Sequence, residues 1–175
     1  IDQKEMRGLG HAISLAKPIH KDHESVLIIL GDTIFSANLA PVLKLKENAI
    51  AVKEVDDPRR FGIVELKGDV VTRLIEKPEN PPTNLAIVGI YHIAQPALLF
   101  DCLDYNINNN VTTRGEFQLT DALQRMLDRG APFRTFGING WFDCGKPETM
   151  LETNRALLEK SPSSKQKDFF EQRYP

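Results

Sequence analysis

The chain has 175 residues, 41% hydrophobic and 26% charged, with 22 basic and 24 acidic side chains for a formal net charge of −2. That balance predicts one globular domain and excludes a nucleic-acid surface, which would need a basic stripe. No apolar run approaches a membrane span, and two cysteines, Cys102 and Cys144, are too few for a disulfide framework, so a reducing cytoplasm is the expected compartment.

In chain order, Leu9, Ala12, Ile13 and Ala16 recur at helical spacing within 8–17, and Pro18 ends that helix. The apolar run 26–30 predicts a buried strand, 39–46 a short helix, 49–55 a second strand and 56–60 a turn. Segments 61–66 and 70–76 predict a hairpin closed by Lys67, Gly68 and Asp69. The proline-rich 78–82 predicts a loop. Residues 85–93 predict another strand, whose central Gly89 signals a bulge or a close backbone approach. Helices over 96–103, 118–128 and 147–159 and a strand over 133–138 complete the alternation of an α/β fold. The polar tail 161–175, with Phe169, Phe170 and Tyr174, reads as an arm or the start of a further segment. At its other end the chain opens at Ile1 inside what reads as a continuing segment, so a fragment of a longer protein is expected.

Two carboxylates mark a candidate site. Asp32 follows Gly31 at the carboxyl end of the first strand, where ligands gather in α/β sheets. Asp143, within Trp141-Phe142-Asp143-Cys144-Gly145, is expected in a turn between a short apolar segment and a helix. Both could point into one cleft and hold a hard divalent cation against phosphate oxygens. A lone aspartate in such a place more often serves a turn or a helix cap, and spacing alone leaves that reading in place. Among other polar residues, His11 is expected to pack or cap on the first helix, and His20 and His23 to be exposed loop residues. Glu116 is expected to be a helix-start carboxylate, and Cys144 a small buried filler.

The ordered set Gln3 with Gly8-Leu9-Gly10-His11-Ala12, Gly31-Asp32, Arg60-Phe61-Gly62, Glu76-Lys77-Pro78, residues 84 to 91, Arg114-Gly115-Glu116 and Trp141-Phe142-Asp143 with Gly145 resembles the sugar-phosphate nucleotidyltransferases. The likeness is nearest to glucose-1-phosphate thymidylyltransferases and uridylyltransferases, and it runs over 3–159. It implies a domain over 1–160 with a Rossmann-like mixed sheet of the nucleotidyltransferase type. Its implied activity is transfer of a pyrimidine nucleotidyl group, from dTTP or UTP, to a hexose 1-phosphate, with glucose 1-phosphate expected, and release of pyrophosphate. The implied partners are therefore a nucleoside triphosphate and a sugar 1-phosphate, and a homo-oligomer is compatible with this.

The same resemblance implies roles residue by residue. Asp32 and Asp143 match the aspartates that bind Mg²⁺. Gln3 matches the amide that reads a uracil or thymine edge, with Gly8, Leu9 and Gly31 around the nucleotide. Lys77 and Arg114 match cations that grip the sugar phosphate, Glu76 the carboxylate that accepts from sugar hydroxyls, and Gly62 and Val88 backbone positions against the sugar ring. On sequence grounds alone, Gln3 without the Gly8 spacing reads as an exposed polar residue, an isolated Lys77 as solvated surface, and Gly62 nearly as readily as a turn glycine.

One part of the family pattern is missing. Family members open with a glycine-rich loop bearing an Arg and a Lys that cradles the triphosphate. No such loop stands in these residues, and Gly8-Leu9-Gly10 is not it. The resemblance therefore implies a missing first βα unit and an inactive chain in isolation. An alternative is a non-catalytic sugar-phosphate-binding or regulatory subunit of an intact enzyme. A metal-dependent phosphohydrolase would use the same two aspartates but leave Gln3, Glu76 and Lys77 without a task.

Overall fold

The computed structural model describes residues 1–21 and 24–160; His23 and the tail 161–175 lie outside the described residues. In chain order come α1 (Leu9–Ser14), β1 (Val26–Ile29), β2 (Thr33–Ser36), β3 (Asn48–Glu54) and the hairpin of β4 (Gly62–Lys67) and β5 (Val70–Glu76). They are followed by β6 (Leu85–Ile93), α2 (Pro96–Asn108), α3 (Leu119–Asp128), β7 (Phe133–Gly137), β8 (Asn139–Asp143) and α4 (Pro147–Lys160).

Six strands form the main sheet in the order β1-β6-β3-β7-β5-β4. The β3–β7 pair is parallel, whereas β1–β6, β3–β6 and β4–β5 are antiparallel, which makes the sheet mixed, as expected. The longest strand, β6, lies between β1 and β3 and is buried from Ala86 to Ile93, which explains its unbroken apolar sequence. Period-two alternation divides the core. Ile50, Val52, Tyr91 and Ile93 pack with Leu99, Leu103, Leu123 and Met126 of α2 and α3, while Ala51, Val88 and Ile90 face the other way, toward Phe35 and Trp141. Asn48, fully buried, reconciles three segments: its amide donates to the Gln95 side chain and the Pro132 carbonyl, and its oxygen accepts from the Ala94 and Gln95 amides.

Several expectations are corrected. The strand at 26–30 is an edge strand and not a buried one. It pairs only with β6 in the main sheet, and Ile29 is 44% exposed. Because it runs antiparallel to that neighbour, the rule for parallel strand ends does not explain where Asp32 sits. The first helix stops at Ser14, whose hydroxyl donates to the His11 carbonyl, and Lys17–Ile19 winds as a tighter 3₁₀ turn around Pro18. The helix expected over 39–46 is a single 3₁₀ turn, Val42–Lys44, and the turn at 56–60 contains another, Pro58–Arg60, capped by Asp57. Helix α2 runs to Asn108. Its second half reads as polar, yet Asn106 is buried and accepts from Arg125 of α3.

The largest departure is a two-stranded ribbon of β2 and β8. Asp143, expected in a turn, is the last residue of β8 and pairs with Thr33. His20 is half-buried against Phe100, with ring centroids 5.4 Å apart, instead of lying in an exposed loop. Cys144 is half-buried rather than core filler, and its amide donates to the Asp32 carbonyl.

Candidate active site

A cleft of about 580 Å³ opens along β6 between the ribbon, the β4–β5 hairpin and the loop before α3, a size suited to a small-molecule ligand. Eight of the eleven residues to which the resemblance assigns a role line it: Leu9, Asp32, Gly62, Glu76, Lys77, Val88, Arg114 and Asp143. Gln3, Gly8 and Gly31 do not. Gln3 donates from Nε2 to the Gly8 carbonyl at 3.2 Å and lies 3.0 Å from His11 Nδ1, so His11 engages Gln3 on α1. Gly8 has φ 104°, and a Cβ there would lie 2.7 Å from the Phe117 carbonyl oxygen, so it is a close-approach glycine that seats the first segment beside 116–118. Gly31 borders the apolar groove between α1 and β1.

Strand pairing builds the acidic end. The Leu30 amide donates to the Gly89 carbonyl, and Gly89, at φ 76°, sits where β6 bulges between Ile87 and Tyr91. A Cβ at Gly89 would lie 2.6 Å from Thr33 Oγ1, so glycine lets the segment carrying Asp32 press against the sheet. Pairing of Thr33 with Asp143 then brings the two aspartates together. Both face Gly145: its Cβ position lies 3.0 Å from Asp143 Oδ1 and 3.5 Å from Asp32 Oδ2. Asp143 Oδ1 accepts from the Gly145 amide at 3.0 Å and Oδ2 from Arg60 at 3.4 Å, while the Asp32 side chain has no hydrogen bond or ion pair among the described residues.

Two convergent carboxylates, one of them unpartnered, with glycine leaving the space between them clear, fit a Mg²⁺ ion. That ion takes one or two protein carboxylates and fills its other positions with water and phosphate oxygens. Among the described residues no cluster of three or more His, Cys, Asp or Glu forms an all-protein cage.

Turn chemistry builds the basic end. Thr113 and Glu116 pair across a two-residue turn in which Arg114 has φ 55° and Gly115 φ 81°, the positive values a type I′ turn demands at both central positions. Lys77, just past β5, has φ 41°. Left-handed backbone at a non-glycine residue costs about 1–3 kcal/mol, and two of the three such residues among those described, Lys77 and Arg114, are cations lining the cleft, the third being Asn110 just past α2. Arg114 Nη2 donates to the Lys77 carbonyl at 2.8 Å, tying the two loops together. Behind them Glu76, with its side chain 9% exposed, accepts from Thr120 Oγ1 at 2.6 Å and lies 3.4 Å from Lys77 Nζ. Gly62 is packed there too, its Cβ position 2.9 Å from Thr120 Oγ1 and 3.1 Å from Glu76 Oε2.

Several cleft residues had no role assigned from the sequence, Arg60, Phe61 and Trp141 standing only as members of the ordered set. Phe61 and Trp141 meet edge to face at 5.5 Å and form an aromatic wall, and Thr120 orients Glu76 from the first turn of α3. Tyr91 lies in the floor, and burial, reinforced by the Glu76 and Asp32 charges, pushes its phenol well above the usual range, so it stays protonated. Arg59 and Arg60 also line the cleft. The Arg59 guanidinium is committed to Asp57, which it bonds at 2.7 and 2.9 Å and whose carboxyl it holds below its ordinary value. The β-branched and aromatic content of 33–36 and 139–143 was the available signal for the ribbon. Glu116 precedes α3 as expected, accepting from Gln118, but it also borders the cleft.

The family comparisons agree with this architecture. The nucleotidyl transferase family model matches residues 1–160. The chain is 39% identical over 160 residues to the low-salt glycan biosynthesis nucleotidyltransferase Agl11 of Haloferax volcanii, covering 87% of this chain and 43% of that protein. It is 35% identical over 168 residues to the UTP–glucose-1-phosphate uridylyltransferase AglF of the same organism, covering 91% of this chain and 66% of that one. Among solved structures, UDP-glucose pyrophosphorylase complexed with UDP-glucose superposes with a TM-score of 0.76 at 27% identity, over 92% of this chain and 66% of that one. The chain thus spans less than half of the Agl11 relative, while the family model's span, residues 1–160, takes in the sheet, the ribbon and every cleft residue described above. With motif order, mixed sheet and family model in agreement, this chain belongs to the nucleotidyl transferase family, among the sugar-1-phosphate nucleotidyltransferases.

Proposed function

We propose that the cleft takes a hexose 1-phosphate, glucose 1-phosphate in the first instance, together with a uridine or deoxythymidine triphosphate, for transfer of the nucleotidyl group. In that reaction a phosphate oxygen of the sugar phosphate attacks the α-phosphorus, the α–β phosphoanhydride bond breaks, and pyrophosphate leaves. The observation that carries the reading is the polarity of the cleft: two convergent carboxylates at one end, and Lys77 with Arg114 at the other.

Asp32 and Asp143 are the residues that would hold Mg²⁺, which when bound offsets the charge of crowded phosphate oxygens. Lys77 and Arg114 grip the sugar phosphate, and their tied loops hold the cations in place before the ligand arrives. Glu76, held by Thr120, accepts from sugar hydroxyls, with the Gly62 and Val88 backbone against the ring. Gln3 reads the base: it lies outside the cleft lining with Nε2 held by the Gly8 carbonyl and His11, and it gives up one of those partners to offer a donor and an acceptor to the edge that uracil and thymine share. No general base is assigned, because the attacking phosphate is already ionised.

These residues contain no glycine-rich loop bearing Arg and Lys, so the proposal for this chain in isolation is binding without turnover at an ordinary enzyme rate. Calorimetric titration with glucose 1-phosphate, inorganic phosphate, UTP, dTTP and ATP, each with and without Mg²⁺, tests the reading. Glucose 1-phosphate is expected to bind more tightly than phosphate, and pyrimidine triphosphates more tightly than ATP. Equal affinity for all five would overturn it.

A further inference from the structure

Resting on the proposed metal site, we infer that Arg60 is a positioning residue that acts as the resident counter-ion of the aspartate pair. The divalent cation displaces it, and its released guanidinium then takes a phosphate oxygen of the bound substrate. Neighbouring arginines make the case. Asp57 caps the 3₁₀ turn Pro58–Arg60 and binds Arg59 through two hydrogen bonds, so Arg59 is neutralised on its own turn. Arg60, the next residue, makes no side-chain hydrogen bond on that turn and lies over the Phe61 ring at 5.6 Å. Its guanidinium reaches across to Asp143 Oδ2 at 3.4 Å, long for a charge-assisted bond, with the arginine side chain 38% and the aspartate 20% exposed.

A single long contact at that exposure is weak and readily exchanged. Asp143 Oδ1 accepts from the Gly145 amide and Oδ2 from Arg60, so a metal on either oxygen of this carboxylate stands beside the guanidinium. A dication there repels the guanidinium at close range. Because Arg60 also lines the cleft, the displaced group stays within it, where its planar fork matches phosphate.

The inference has a signature of opposite signs. In Mn²⁺ relaxation titrations of the 175-residue chain, R60Q is expected to bind the metal at least threefold more tightly than the parent. Calorimetry is expected to show glucose 1-phosphate binding at least threefold more weakly to R60Q in the presence of Mg²⁺. R59Q removes the same charge one residue away and is expected to change Mn²⁺ affinity less than 1.5-fold. In the parent chain, needing no variant, Mg²⁺ is expected to move the Arg60 Nε–Hε resonance and leave that of Arg59 in place.

Unchanged or weaker Mn²⁺ binding by R60Q, an equal gain in R59Q, or an Arg60 resonance indifferent to Mg²⁺ would each overturn the inference. D32N separates the two levels. If it weakens Mn²⁺ binding while R60Q leaves it unchanged, only the Arg60 role fails. If D32N binds as the parent does, the metal site fails and the Arg60 role with it.

Discussion

The two ends of the cleft are built by different physics. At the acidic end, position comes from register: Thr33 pairs with Asp143, a glycine bulge seats the strand, and neither aspartate has a left-handed backbone. At the basic end, position comes from loops under strain, with Lys77 and Arg114 both at positive φ and held by a hydrogen bond between them. A metal ligand needs a fixed distance to its partner, which a ribbon supplies cheaply. Cations that meet a mobile phosphate need a fixed direction, and tight turns supply it at about 1–3 kcal/mol per strained residue.

The largest test asks whether the two ends suffice. Neither presents the Arg and Lys of a triphosphate cradle. Loss of two or three charge-assisted contacts, each worth about 1.5–3 kcal/mol, slows transfer by roughly 10²- to 10⁶-fold. A pyrophosphate-release assay on the 175-residue chain with UTP or dTTP, glucose 1-phosphate and Mg²⁺ is expected to run at least about 100-fold below an ordinary enzyme rate. Turnover at an ordinary enzyme rate, about 1 s⁻¹ or faster, would show that the ends work alone.

Next in size are the acidic-end substitutions. D32N and D143N keep shape and remove one of two negative ligands, so each is expected to weaken Mn²⁺ binding by about 2–4 kcal/mol, roughly 30- to 1,000-fold, with little change in thermal stability. Because register and not charge sets the backbone here, the β2–β8 pairing survives both. If the two variants differ by more than tenfold, the shared-site geometry is wrong.

How much of this could be read in advance cuts across that division. Gly89 announced its bulge, because a glycine inside an apolar strand has few other uses, and the Glu76-Lys77-Pro78 and Arg114-Gly115 segments carried turn chemistry in their own sequence. Helix α3 declared itself through Leu119, Ala122, Leu123 and Met126 on one face. The ribbon did not, because the pairing that brings Asp143 to Thr33 joins segments that lie far apart in the chain and leaves no local periodicity. Nor could spacing tell that 26–29 is an edge strand, since an edge and a centre share the same apolar run until neighbours are known. The two aspartates were singled out without the pairing that joins them, and Lys77 and Arg114 entered the site through the family resemblance and not through any local signal. The role of Arg60 is visible only once Asp143 stands opposite.

Substituting the strained lysine sharpens the contrast. K77A is expected to weaken glucose 1-phosphate binding roughly 10- to 100-fold, about 1.5–3 kcal/mol, while leaving Mn²⁺ affinity within twofold. K77G should lose the same binding yet melt higher than K77A, because glycine adopts φ 41° freely whereas alanine retains a left-handed penalty of about 1–2 kcal/mol. Paired calorimetry and thermal melts read both effects. Equal melting temperatures for the two variants would mean that strain is not what holds the basic end.

The smallest expected effect lies where the basic end meets the core. Asp121, in the first turn of α3, is half-buried. Burial raises its carboxyl pKa, the Glu76 charge adds to the rise, and a hydrogen bond with Thr113 opposes it. A carboxyl whose folded-state pKa exceeds its unfolded value favours folding while protonated. That contribution is fully present below the unfolded pKa, about 3.9, and is lost as pH rises through the folded value, so at neutral pH the ionised group costs stability. D121N keeps an acceptor for Thr113, removes the repulsion toward Glu76 and forgoes a favourable charge at a helix start. Solvent screening of a half-exposed group holds the net gain below about 1 kcal/mol. Denaturant melts of parent and variant should therefore coincide near pH 3.5 and separate toward pH 7 with the variant more stable, whereas a gap that stays constant with pH would assign the effect to packing and not to charge.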